Sequence, residues 1–144
     1  MDPDKGATKL VRSQDGVVAV EFAIIAPIVL LILVGVIQFG IVYSQYQVLQ
    51  GAAREGARCA SVQAAGRSTC EVTTAVQNAA LSYDLTNTPV VTVDGGGTAC
   101  TDDTAGRNVT VAWEQTFEMG AIPRMVPGIP DTIDATISGT FRCE

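Results

Sequence analysis

The residues of this chain able to do chemistry are few, and their types narrow what the chain can be. Histidine is absent from its 144 residues, which removes the commonest general base, the commonest metal ligand and the usual partner of a nucleophilic serine or cysteine. Four cysteines, Cys59, Cys70, Cys100 and Cys143, stand apart with no C-x-x-C pair. Zinc held by four such dispersed thiolates lacks the paired spacing of structural sites. Disulfides formed outside the cytoplasm suit them better. Four cysteines allow three connectivities; of these we favour Cys59 with Cys70, closing the connection between two helices, and Cys100 with Cys143, tying a loop between strands to the end of the chain. Gly95, Gly96 and Gly97 lack the following Gly-Lys-Ser/Thr of a phosphate-binding loop and read as a turn. Asp102 and Asp103 are adjacent acids in a loop, more often solvated than bound to calcium. Asn108-Val109-Thr110 is a formal glycosylation sequon, relevant only in a host with that machinery, and Trp113 reads as a core aromatic. No catalytic constellation emerges, and we expect no enzyme activity, cofactor, metal or small-molecule substrate. The net charge of -6, with nine Lys and Arg scattered along the chain, also lacks the basic stripe of a nucleic-acid binder.

One acid stands out by its position. Glu21 lies at the entrance to a run with no charged residue between Phe22 and Ala53, of which Phe22 to Ile37 is almost wholly aliphatic. A helix of about 20 such residues crosses the roughly 30 Å hydrocarbon layer of a bilayer, so a membrane helix over 17–43 is expected, with Tyr43 and Tyr46 in an interfacial aromatic belt. A carboxylate inside a membrane is costly and usually has a partner, although near a helix start the macrodipole favours negative charge. Lys5, Lys9 and Arg12 precede the run, as in a secretory signal, but the run is longer than a signal core and Ser44 to Gln50 offers no small-residue cleavage pattern. The basic flank favours a cytoplasmic N-terminus, weakly, since Arg54 and Arg58 lie on the other side. The cysteines, all C-terminal to the run, favour the same orientation.

The residues around Glu21 read Gly16-Val17-Val18-Ala19-Val20-Glu21-Phe22. This resembles the processing site of type IV pilin precursors, in which a short leader ends in glycine and the mature apolar helix has Glu fifth and Phe sixth. The resemblance narrows over residues 15–58, through Pro27 and Gly35 to the tract Ala52-Ala53-Arg54-Glu55-Gly56-Ala57-Arg58, which look like the TadE-like family of minor pilins or pseudopilins of the tight-adherence (Flp, type IVc) pilus system. It implies a leader over 1–16, a prepilin peptidase cutting between Gly16 and Val17, and pairing of the freed Val17 ammonium with Glu21 of its own or a neighbouring chain, with Phe22 beside it. It also implies as partners the membrane lipid, that peptidase, and other pilins, pseudopilins and pilus assembly proteins. The location implied is the bacterial inner membrane, crossed once, with the C-terminal domain periplasmic or extracellular, and in the pilus after assembly. The alternative is an unprocessed single-span membrane protein whose outer domain binds partners in an envelope complex.

The elements that must carry these residues follow from hydrophobic period. Val48, Leu49, Ala52, Ala53, Gly56, Ala57 and Ala60 continue at helical spacing, so one helix is expected from about Val17 to Gln63, ending near Gly66. Pro27 inside it removes one backbone donor and predicts a kink or looser turn, while Ala19, Ala23, Ala26 and Gly35 would permit close helix approach. Ser68-Thr69-Cys70-Glu71 fits a capping box, with a second helix to about Tyr83. Beyond Asn87 the period becomes two: Val91 and Val93; Val109, Val111 and Trp113; and Ile133, Ala135, Ile137, Gly139 and Phe141 predict three strands of an antiparallel sheet with one buried face. Pro123, Pro127 and Pro130 break up the loop before the last strand. The expected architecture is α+β: leader 1–16, transmembrane helix 17–43, continuation of that helix 44–66, and an extracytoplasmic domain 67–144 with a short second helix and a small sheet.

Overall fold

The run from Phe22 to Ala53, rich in Leu, Ile, Val and Ala and free of charge, lies within one uninterrupted helix, α1, which extends over Thr8–Ser61. The computed structural model describes the backbone of residues 8–63, 70–81 and 83–144, with side chains described from residue 16 onward. At about 1.5 Å per residue, α1 is roughly 80 Å long. It runs through Pro27 without a break and starts before Val17, so Gly16 lies inside a helix and not ahead of one. Its far end is Ser61 rather than Gln63, which forms a turn closed by its amide donating to Ala60 O; Gly66 lies outside the described residues.

The two halves of α1 live in different surroundings. An 18-residue stretch with mean hydropathy 3.0 has none of its residues buried, and the large aliphatic side chains from Val17 to Ile37 are exposed apart from Val34, which is partly covered. From Leu49 onward one stripe is buried: Leu49, Ala52, Ala53, Ala57 and Ala60 have at most 1% of their surface exposed. Arg54, Glu55 and Arg58 face outward, and Arg58 makes a loose ion pair with Glu55 at 3.8 Å. The small residues of this stripe let other backbones come close, which is where α1 becomes the core element of the domain.

Helix α2, Val72–Ala79, lies against that stripe, with Val76 fully buried beside Gly56. Its N-cap is Glu71, which makes no side-chain cap bond. The expected capping box placed Glu71 one turn inside the helix; the chain instead enters the helix a residue after it, held by the adjoining Cys70 disulfide, and Ser68 and Thr69 lie outside the described residues. The helix also stops before Tyr83. Leu81 takes φ 52°, a left-handed conformation costing a bulky residue about 1–2 kcal/mol, so tertiary demand and not local preference ends it. That demand is visible in Gln115, a buried amide of the sheet, which accepts from Thr86 N at 3.1 Å and donates to Asp84 O at 3.2 Å.

Strands β1 (Val90–Val93), β2 (Asn108–Glu118) and β3 (Thr132–Arg142) form an antiparallel sheet in the order β1-β2-β3. Val111 faces Gly139 and Trp113 faces Ile137 across the central pair. Val93, Val109, Val111, Trp113, Phe117 and Ile137 point into the core against α1. The outer face is polar: the Thr110 and Thr140 hydroxyls lie 3.0 Å apart, and the Thr116 hydroxyl donates to Asp134 Oδ1 at 2.7 Å. Gly95, Gly96 and Gly97 all adopt positive φ in the turn after β1, a conformation open to glycine at little cost. A four-residue helix, α3 (Ile122–Met125), occupies part of the proline-containing loop that was expected to be irregular. Pro123 sits in its first turn, where a missing donor costs nothing.

Both favoured disulfides are present. Cys59 bonds to Cys70, joining the end of α1 to the approach to α2, and Cys100 bonds to Cys143, fastening the loop before β2 to the chain end. The last residue is held too, since Glu144 N donates to Ser61 O at 3.3 Å. Closing an 11-residue separation removes about 3 kcal/mol of unfolded-chain freedom in the entropic account. Replacing Cys59 and Cys70 together by Ser should therefore lower stability by about 2–3 kcal/mol, read as a drop in the denaturant midpoint monitored by Trp113 fluorescence.

Candidate functional site

Gly16, Val17, Glu21 and Phe22 occupy two successive turns near the start of α1. Helical spacing sets Val17 and Glu21 one above the other, about 6 Å apart along the axis. Both are exposed, Val17 at 66% and Phe22 at 71% likewise. Among the described residues Glu21 has no ion-pair partner, the Arg58–Glu55 pair being the one formed.

Gly16 is informative for what it lacks. It keeps an ordinary right-handed helical backbone, outside the glycines at positive φ. A methyl group added there would meet nothing within 4 Å. Glycine inside a helix costs roughly 0.5–1 kcal/mol relative to alanine, and neither backbone geometry nor packing within this fold repays it. Gly35, Gly40 and Gly51 of α1 share these open surroundings, whereas at Gly56 and Gly139 an added methyl would run into Val76 and into the backbone of Ala53.

The structure separates the candidate residues into two groups. Gly16, Val17, Glu21 and Phe22 stand together at one end of the exposed half of α1. Cys59, Cys70, Cys100 and Cys143 cluster at the other end, about 57 Å further along the helix counted from Glu21 to Cys59, and serve the domain as covalent ties. Tyr46 is not free to join an interfacial belt: its ring stands 6.3 Å from that of Phe117, and its hydroxyl accepts from Gln50. Tyr43 is half exposed and stacks on Phe39. Asp102 and Asp103 lie exposed in a single 3₁₀ turn.

Sequence reasoning passed over Gln115, and it placed Gly139 in the alternation of the third strand without giving it a role. Gln115 sits at an inward position of β2, and Trp113 Nε1 also donates to its oxygen at 3.1 Å; a lone polar residue in phase with Val109, Val111 and Trp113 was the available signal. Gly139 holds an inward position of β3 between Ile137 and Phe141, and glycine inside a strand marks close backbone approach.

Among curated proteins and among solved structures nothing matches this chain. A family model described as TadE-like protein matches residues 16–58. The match begins at Gly16, includes the exposed apolar run of α1, and ends at Arg58 on the buried-stripe half. From Gly16 to Arg58, therefore, the chain is similar to TadE-like proteins.

Proposed function

We propose that this protein is a minor pilin or pseudopilin, a structural and assembly component of a tight-adherence pilus and not an enzyme. A prepilin peptidase cuts it after Gly16, and residues 17–43 hold it in the membrane with the N-terminus cytoplasmic. The observation that carries this reading is the position of Gly16: a glycine with no conformational or packing role that stands five residues before Glu21, inside α1 and at the start of its exposed apolar run. A peptidase that must draw the backbone into its site gives that glycine a role which the folded chain does not.

Cleavage would expose an ammonium on Val17, one turn from the Glu21 carboxylate. Two opposite charges brought into an apolar bundle offset each other's desolvation, whether the pair forms within one chain or between staggered neighbours. A subunit lacking either charge carries the other into the bundle unpaired. The pairing thus favours one axial register among packed helices, while the domain, tied by two disulfides, stays outside the membrane.

Substituting Gly16 by Leu tests this reading. In cells with the peptidase, wild-type protein is expected to migrate as the shortened form and Gly16→Leu as the full precursor, heavier by residues 1–16. Identical mobility of the two would count against processing at this site. The second reading, an unprocessed single-span protein, draws support from the unbroken course of α1 through Gly16 back to Thr8; under it neither variant would be shortened.

A further inference from the structure

The loop between β2 and β3 carries a surface that the pilin reading does not use. Residues 119–131 leave the sheet on the side facing the uncovered half of α1, and their neck is closed by Met119 N donating to Asp131 O at 2.8 Å. Between the acids Glu118 and Asp131, which stand at the strand ends, Arg124 is the single charged residue. Ile122 and Val126 are partly buried, while Met125 is 50% and Ile129 36% exposed. Isolated apolar side chains on a surface need no explanation, but a contiguous apolar loop tip does.

Its height along α1 supplies the explanation. Gly120 lies against the Gln38 side chain, and Gln38 is separated from Val17 by 21 helical steps, about 32 Å at 1.5 Å each. That is one hydrocarbon thickness. If the Val17–Glu21 end marks one boundary of the membrane, the neck of the loop lies near the other, beside Gln38 and five residues short of the end of the 17–43 span.

We infer that the loop 119–131 is a second membrane contact, seating Met125 and Ile129 in the boundary between headgroups and acyl chains of the leaflet facing the domain; this rests on α1 spanning the bilayer. Backbone chemistry fits such a seat, because unpaired N–H groups are costly in apolar surroundings. Pro123, Pro127 and Pro130 have no N–H to satisfy, Val126 N donates to Ile122 O at 3.0 Å, and Ile129 N to Val126 O at 3.5 Å. Arg124 is exposed and has no ion pair among the described residues, which leaves its guanidinium to reach lipid phosphate while its stem lies along apolar surface. Glu118 and Asp131 at the neck set the limit of immersion. The loop thereby fixes the tilt and rotation of the domain on the membrane, which a single helix leaves free.

All four native cysteines are in disulfides, so an introduced cysteine is the only free thiol. Met125→Cys, Ile129→Cys, Val29→Cys in the apolar run and Gln77→Cys on α2 would each be labelled with an environment-sensitive fluorophore. The full chain is then reconstituted alone in phosphatidylethanolamine–phosphatidylglycerol vesicles. Labels at 125 and 129 should show blue-shifted emission, lose quenching by aqueous iodide, and be quenched by lipids carrying a nitroxide near the glycerol end of the acyl chain. The label at 29 should respond to nitroxides near the chain terminus, and the label at 77 to iodide alone. If 125 and 129 are quenched by iodide as strongly as 77 while 29 stays protected, the loop contact is wrong and the membrane span stands. If 29 is open to iodide, the span fails and the loop contact fails with it.

Discussion

Replacing Gly139 by Val is expected to cost more than about 4 kcal/mol, a size reserved for changes that force core elements apart. A side chain at this position would begin 2.5 Å from Ala53 O and equally close to Arg54 N, so the obstacle is the main chain of α1. A flexible neighbour could swing aside; a helix backbone in mid-span cannot move without displacing Leu49, Ala52 and Ala57 from the core with it. Ordinary overpacking costs about 1–3 kcal/mol where side chains can adjust, and here that adjustment is missing. Ser138→Val is the control: one residue away, on the exposed face, the same change should shift stability by no more than about 0.5 kcal/mol. Denaturant titration of the detergent-solubilised protein, followed by the fluorescence of Trp113, measures both. A Gly139→Val protein as stable as wild type would mean that β3 does not cross α1 at Ala53.

The second large effect concerns Glu21 and is read in assembly instead of folding. Glu21→Ala removes an exposed side chain with no ion pair among the described residues, so the isolated protein should melt like wild type. Cleavage after Gly16 should continue, since the carboxylate lies five residues beyond the bond. Incorporation is where the loss falls. Removing one partner of a buried ion pair costs about 3–5 kcal/mol, which leaves association a hundredfold weaker or more. Co-purification of partner pilins with tagged wild-type and Glu21→Ala subunits, each confirmed to be shortened, reads this directly. Equal recovery with both would sink the pairing argument while leaving processing intact.

Much of the architecture was legible because hydrophobic period is a direct image of burial. Val109, Val111 and Trp113 alternate in sequence and alternate in the sheet. Leu49, Ala52, Ala53, Gly56, Ala57 and Ala60 recur at helical spacing and form the buried stripe of α1. The pairing of Cys59 with Cys70 was accessible for a related reason, since a helix end and the next helix start are neighbours whatever the rest of the chain does. What escaped depends on contacts distant in sequence. The end of α2 at Ala79 follows from the route to β1 and the grip of Gln115 on residues 84 and 86, neither of which is written in residues 72–83. The importance of Gly139 depends on which element crosses β3 at that point, and the meaning of the loop 119–131 depends on its height beside Gln38. Glu71 misled because a Ser-x-x-Glu spacing is a local signal, and a disulfide one residue earlier sets where that helix begins.

The candidate site was legible for the opposite reason. Gly16, Val17, Glu21 and Phe22 are a linear signal within two turns of one helix, so no tertiary contact is needed to bring them together. The fold contributes by subtraction: it leaves Gly16 without a structural purpose and leaves the helix beyond it without cover. Gly56 and Gly139 each have a packing reason that can be named, while Gly35, Gly40 and Gly51 share the empty surroundings of Gly16, so what sets Gly16 apart is its place five residues before Glu21 at the start of the matched segment.

The most direct measurement is the N-terminal sequence and intact mass of the protein extracted from membranes of its native host. Val17 is expected as the first residue, with its amino group free to pair with Glu21, and the mass is expected to be short by residues 1–16. Mature protein that still begins at Met1 or Asp2 would contradict that expectation.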